Sequence, residues 1–257
     1  MKKHTLSVIL ITKNEEDRVE RCLKSVTEIA DEIIVLDSGS TDDTVAICQR
    51  YTENVEVTDW PGYGKQKQRA LDKATCDWVL SIDADEALDA NMFTALTNLL
   101  AQDTIEKDAY RLPWGVTIYG RTLKYGRSAR AILRLFKREG ARFTLDDIHE
   151  RIIPVGKNIG VLGGKLLHYT YRDYKHALDK ASDYAWLGSQ RYFSRKRKSP
   201  GLLVALLRAL WTFFLIYIIR RGCLDGGPGF IVAMTYAQVN FNKHVGLWLL
   251  EKGRVSS

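Results

Sequence analysis

An α/β fold built on parallel strands is what this sequence predicts, and three observations carry that expectation. Apolar, β-branched runs such as "LSVILI" (Leu6 to Ile11) and "IIVL" (Ile33 to Leu36) have the composition of strands buried on both faces. Each is followed within a few residues by a stretch with helical apolar spacing, and that alternation implies β-α-β units. Polar clusters stand just after the strands: Lys13 and Asn14, Asp37 to Ser40, and Asp83 to Glu86. Ligands in such sheets gather beyond the carboxyl ends of the strands, so the clusters are expected on one edge.

The elements follow in order. After the first strand, "KNEEDRVERCLKSV" is a helix with Val19, Leu23 and Val26 on one side. The second strand leads through turn residues to a helix from about Asp43 to Arg50. "VEVTDW" is a short third strand, "KQKQRALDKAT" a helix and "DWVLSID" the fourth strand. A helix begins near Ala90. Beyond about residue 105, "AYRLPWGVTIYG", "AILRLFKR" and "KNIGVLGGKLLHYTY" read as strands of a mixed or antiparallel extension. A helix spans Tyr174 to about Lys198 and ends in "RKRK". Pro200 and Gly201 break the chain before the apolar helix "LLVALLRALWTFFLIYIIRR". "GCLDGGPG" is a turn, and Phe230 to Val245 a last amphipathic helix. The expected division is a catalytic domain over residues 1–172, with halves of about 1–105 and 106–172, then a helical region over 173–257.

Composition bounds the partners. The 257 residues are 46% hydrophobic, enough for a core, and carry a formal charge of +7, which favours phosphates, nucleic acid or acidic lipid. Cys22, Cys48, Cys76 and Cys223 are scattered without paired spacing, as reduced cytosolic thiols are. The N-terminal apolar run is broken by Lys13 and too short for a signal peptide. Nucleic-acid binding would require basic residues interleaved with exposed aromatics, whereas here they flank an apolar helix.

Asp83 and Asp85, one residue apart, would share a face of a straight strand, and at a turn both approach one divalent cation. Oxygen ligands with room for a diphosphate suit Mg²⁺ or Mn²⁺. Taken alone, the pair also fits a solvated turn or a helix cap. Asp37, directly after a buried strand, is placed either to accept from a nucleobase or ribose or to cap the next helix. Lys65 and Arg69 lie at i, i+4 on one helix face, where both reach a diphosphate. Lys67 is expected on a solvated basic face.

In combination, "SVILITKNEEDRVERCLKSV", "DEIIVLDSGSTDDT", "GKQKQRALDKATCDWVLSIDADE" and "IHE" resemble the inverting family 2 glycosyltransferases of GT-A fold, a Rossmann-like mixed sheet flanked by helices. The likeness runs in order through about residues 5–170. It implies a nucleotide-diphosphate sugar donor held by Thr12, Asn14, Glu15, Asp37 and Ser40, with Lys65 and Arg69 at the diphosphate. Asp83 would meet ribose and metal, Asp85 the metal, and His168 supplies a third metal contact or stays structural. Many members carry two acidic residues where this chain has Asp37-Ser38. Inverting transfer needs a base, and "LDDIHER" offers Asp146, Asp147, His149 and Glu150; the resemblance favours Glu150.

The tail "YIIRRGCLDGGPGF" resembles the lipopolysaccharide inner-core branch, the heptose β-1,4-glucosyltransferases. That implies UDP-glucose as donor and a lipid A–core heptose as acceptor; a polyprenyl-phosphate or capsular acceptor is the alternative. Leu202 to Ile219 is ~27 Å long as a helix, against a hydrocarbon core of ~30 Å. Arg208 inside it costs roughly 2.5–3.5 kcal/mol at a bilayer centre. Gly201, Ala205, Arg208 and Thr212 share a narrow polar or small stripe, and basic residues flank both ends. The expectation is a helix over about 202–221 lying on an anionic membrane surface, with the protein peripheral to the cytoplasmic face of a bacterial inner membrane.

Overall fold

The computed structural model describes residues 2–118, 120–126, 130–145 and 150–253; Asp146, Asp147 and His149 lie outside them. The chain divides into two compact units, residues 1–115 with 130–168 and residues 116–129 with 169–257.

In the first unit, β1 (Leu6–Thr12) pairs in parallel with β2 (Glu32–Asp37), β2 with β3 (Val55–Val57), and β1 with β4 (Trp78–Ser81). The registers Thr12–Asp37 and Ile9–Ser81 bring the carboxyl ends of β1, β2 and β4 to one edge. Period two then sorts the side chains. Leu6, Val8 and Leu10 bury on one face with α1 (Val19–Val26), whereas Ile9 buries on the other with Ala70 and Leu71 of α3 (Tyr63–Lys73). Between β2 and β3 runs the short α2 (Thr44–Cys48).

Helix α1 starts six residues later than the sequence pattern suggests. Asn14 adopts a φ of 54°, and the amides of Asn14 and Glu15 donate to Ser40 Oγ and Thr44 Oγ1 at 2.8 and 2.7 Å. Those bonds hold the segment as a loop against the β2–α2 turn. Beyond the acidic cluster come β5 (Glu86–Leu88) and α4 (Ala90–Leu100), capped by Asp89 Oδ1 accepting from Met92 N at 2.7 Å. The same oxygen accepts from Lys165 N, and Gly164, with φ of 86°, lies so close that a Cβ would stand 2.1 Å from Met92 N.

The sheet is completed by β6 (Ala109–Ile118), β8 (Ala131–Lys137) and β12 (Leu166–Tyr169), in the order β3-β2-β1-β4-β8-β6-β12-β5. Here β8 is antiparallel to both β4 and β6, as the extension requires. Two short strands join β6 at its sides, β7 (Arg121–Thr122) and β11 (Ile159–Val161), while β9 (Arg142–Phe143) and β10 (Ile152–Ile153) form a separate hairpin ladder. The mixed sheet flanked by helices is the GT-A arrangement expected from the sequence.

In the second unit, α5 (Tyr174–Ser194) and α6 (Leu202–Phe214) both pack on α7 (Gly227–Glu251), and α6 continues through a π-helical turn, Leu215–Ile219. Helix α7 is longer than expected at both ends: Gly227-Pro228 opens it, Pro being tolerated in a first turn, and it runs past Val245 to Glu251. The small and polar stripe of α6 turns toward α7. Arg208 Nη1 lies 3.2 Å from His244 Nε2, Asn240 Nδ2 donates to Thr212 Oγ1 at 2.6 Å, and Ala205 and Ala209 are buried. The apolar side chains face outward instead, with Leu203 71% and Trp211 60% exposed and Leu207, Leu210 and Phe214 beside them. A soluble amphipathic helix shows the opposite arrangement.

Candidate active site

Three loops leaving the carboxyl ends of β1, β2 and β4 supply the polar groups. The first knot centres on Asp37, which is 0% exposed. Its Oδ2 accepts from Thr12 Oγ1 at 2.8 Å and from Ser40 Oγ at 2.5 Å, while Oδ1 accepts from the amides of Gly39 and Ser40. A buried carboxylate needs such donors. Both oxygens are spent on tying the β1 end to the β2–α2 turn, and Gly39 and Asn14 form the exposed surface of the knot.

Glu15 leads to the second group. Arg18 donates to its carboxylate, and Arg18 Nη1 stands 3.7 Å from Asp85 Oδ2. His168, carried by β12, places Nε2 at 3.2 Å from that same oxygen. Burial opposes the charge on Asp85, yet His168 and Arg18 hold its carboxyl below the usual range. The ring of Trp114 lies against His168 with centroids 4.4 Å apart, and Arg130 sits 4.2 Å over the indole.

The third group is a buried network of alternating sign. Lys67 Nζ donates to Asp83 Oδ1 and to Glu150 Oε1, both at 2.8 Å. Arg134 of β8 bonds to Asp83 Oδ2 and donates to Glu86 Oε1 at 2.8 Å. Glu86 also accepts from Trp114 Nε1 at 3.2 Å and from the Asp83 amide at 3.0 Å. Burial would raise the Asp83 carboxyl, but Arg134 and Lys67 overturn that and hold it well below its ordinary value. Burial pushes Glu86 up, helped by Asp83. Lys67 would lose its proton more readily by burial alone, and the carboxylates of Asp83 and Glu150 raise it instead. Three cations from other elements, Lys67, Arg134 and Arg18, with His168 beside Asp85, offset the three acidic groups that follow β4.

Thr12, Asn14, Glu15, Asp37 and Ser40 thus form one linked knot, which continues through Arg18 to Asp85 and His168. Asp83 and Glu150 meet on Lys67. Lys65 and Arg69 point elsewhere: Lys65 is exposed, and Arg69 pairs with Asp59 at 2.6 Å beside a shallow cleft lined by Glu56, Thr58 and Lys73. The lysine that enters the site is Lys67, 4% exposed, not solvated as expected. It shares the buried face of α3 with Ala70 and Leu71, at i+3 and i+4, and that spacing was the available signal. Arg134 carried a signal too, a cation set between Leu133 and Leu135 in an apolar strand. Trp114 and Arg18 carried none.

A divalent cation needs several oxygen or nitrogen donors within reach of one point. Among the described residues no three His, Cys, Asp or Glu side chains are grouped to hold a metal alone. Asp85 and His168 offer two adjacent donor atoms, and Asp83 turns both of its oxygens to cations. Asp85 and His168 would hold a divalent cation only with further ligands supplied by a bound substrate.

Residues 7–152 match the family described as glycosyl transferase family 2. The lipopolysaccharide core biosynthesis glycosyltransferase LpsC of Rhizobium meliloti is 34% identical over 249 residues, covering 93% of this chain and 90% of that protein. The S. aureus TarS 1-349 structure in complex with UDP superposes with a TM-score of 0.50 at 16% identity, covering 98% of this chain and 93% of that one. Glucosyl-3-phosphoglycerate synthase from Mycobacterium tuberculosis, solved with Mn²⁺ and UDP, is 29% identical at a TM-score of 0.36; 42% of this chain and 43% of that chain are covered.

Proposed function

The chain belongs to glycosyl transferase family 2, and we propose that it moves glucose from UDP-glucose to an inner-core heptose of lipopolysaccharide, inverting the anomeric carbon. One observation carries the reading: Glu150, the Asp83–Asp85 segment and His168 arrive from three separate stretches of chain, with Lys67 joining Glu150 to Asp83 and His168 standing 3.2 Å from Asp85. The acceptor assignment is supported by the likeness to LpsC and by the tail motif.

In this mechanism the loops shaped by Asp37 receive the nucleoside, Asp37 acting through the knot it ties. Asp83, oriented by Lys67 and Arg134, faces the ribose. Asp85 and His168 would hold Mg²⁺ or Mn²⁺, which when bound offsets the charge growing on the departing diphosphate. Glu150 takes the proton from the attacking heptose hydroxyl as the new bond forms opposite the leaving UDP. A single displacement of this kind gives the β linkage from an α-linked donor.

The outward apolar face of α6 supports docking on a membrane. Leu202–Ile219 is long and apolar enough to cross a bilayer. Exposed Arg195 to Lys198 lie before it and exposed Arg220 and Arg221 after it. With positive charge at both ends, the helix lies in the interface against anionic lipid, at roughly 1 kcal/mol for each nearby basic residue. The enzyme then shares a surface with its lipid-anchored acceptor at the cytoplasmic face of the bacterial inner membrane.

The test is a screen of labelled UDP-sugars against truncated core lipopolysaccharide and polyprenyl phosphate, with Mg²⁺, Mn²⁺ or chelator. Transfer of glucose to the heptose, lost with chelator, is expected. Transfer to polyprenyl phosphate alone, or from another sugar nucleotide, would replace this reading.

A further inference from the structure

We propose that Lys67 is a positioning residue for the base: one buried ammonium fixes the Glu150 carboxylate and locks it to Asp83, the group facing the donor. The inference rests on the assignment of Glu150 made above. Glu150 sits two residues before β10, whose ladder with β9 consists of the pairs Phe143–Ile152 and Arg142–Ile153. That short hairpin fixes backbone nearby and leaves the carboxyl to be held by something else. Lys67 Nζ holds it, at 2.8 Å from Oε1, with Asp83 Oδ1 at the same distance on the other side. Oε2 has no hydrogen bond among the described residues, which leaves it to accept from a hydroxyl.

The lysine is well suited to this. Its stem shares a helix face with Ala70 and Leu71, which are buried between α3 and the sheet, so the ammonium arrives from a rigid element. With its side chain 5% exposed, it meets two carboxylates and is fully charged. A neutral side chain of equal length would leave Glu150 unanchored in a largely buried place. Misplacing a catalytic group by about 1 Å costs about 10²-fold in rate. Lys67 thus serves the chemistry through Glu150, without touching a reacting atom.

The experiment is a double-mutant cycle on the full chain with UDP-glucose and truncated core lipopolysaccharide. It compares Lys67→Met, Glu150→Gln and the double variant, with UDP binding measured by calorimetry in Mn²⁺. Lys67→Met is expected to lower kcat about 10²-fold, while the Kd for UDP rises by well under that factor, because Arg134 still holds Asp83. The double variant should be no slower than Glu150→Gln, because the support of a missing base has nothing left to support. Rates that multiply in the double variant, or UDP affinity that falls in step with rate, overturn the proposal, since Lys67 would then act on the donor. Glu150→Gln at the wild-type rate removes the base assignment itself. A slow Glu150→Gln beside a fast Lys67→Met sinks only the role of Lys67. Thermal melts check folding, and Lys67→Gln carries the same cycle if the Met variant does not fold.

Discussion

Arg134→Met removes the cation that two buried carboxylates share. The guanidinium bonds to Asp83 and lies 2.8 Å from Glu86 Oε1, and the Glu86 side chain is 0% exposed. At an effective dielectric near 20, each contact of this kind is worth about 4 kcal/mol before desolvation. Breaking a buried pair by deleting one partner costs about 3–5 kcal/mol, because the remaining charge is left without compensation. Asp83 keeps Lys67, so most of the loss comes from Glu86, which retains only the bonds from Trp114 Nε1 and the Asp83 amide. The expected loss is therefore about 3 kcal/mol, at the lower end of that range. The control is Arg134→Met with Glu86→Gln, which deletes both charges and should recover stability to within about 1.5 kcal/mol of wild type. Urea melts at neutral pH followed by circular dichroism measure all three proteins. A loss under about 1 kcal/mol for the single variant, or a double variant no more stable than the single, would refute the view that Arg134 compensates a buried charge.

Three further outcomes are expected. Asp85→Ala should leave folding intact and abolish metal-dependent transfer; calorimetry should show UDP binding that no longer responds to Mn²⁺, and retained turnover would remove Asp85 from the metal site. Replacing Trp211 and Phe214 by Ser should move the protein from the membrane pellet to the supernatant, because both lie on the exposed face of α6; an unchanged distribution would end the docking reading. His244 is pulled down to about 4, by burial first and then by Lys243 and Arg208. Its unfolded form gains a proton below about pH 6.5 while the folded form does so only near pH 4, so stability should fall as pH drops through that window, by about 1–2 kcal/mol after allowance for partial screening. His244→Gln should flatten the slope, and equal slopes in urea melts of the two proteins would count against it.

The parallel heart of the fold was legible because β1, β2 and β4 are buried on both faces, which forces short apolar, β-branched runs with helical stretches between them. Their order of appearance, with helices between, already placed Asn14, Asp37, Asp83 and Asp85 on one edge. The amphipathic stripe of α6 was legible for a similar reason: Ala205, Arg208 and Thr212 recur at helical spacing. Local pattern alone determined these features.

Which side chains converge was decided by tertiary structure. Lys65, Lys67 and Arg69 have similar chemistry and lie within five residues, yet only Lys67 meets Asp83 and Glu150, because the rotation of α3 on the sheet selects one face. Asp37 stands at the strand end as expected, but whether its oxygens meet a ligand or the protein depends on Thr12, Gly39 and Ser40. Arg134, Trp114 and His168 come from strands far along the chain, and sequence spacing holds no record of which carboxylate each will face. Burial is a local property that repeats with the period of its element. Charge compensation acts across elements, at distances of a few ångströms that only the assembled sheet brings about.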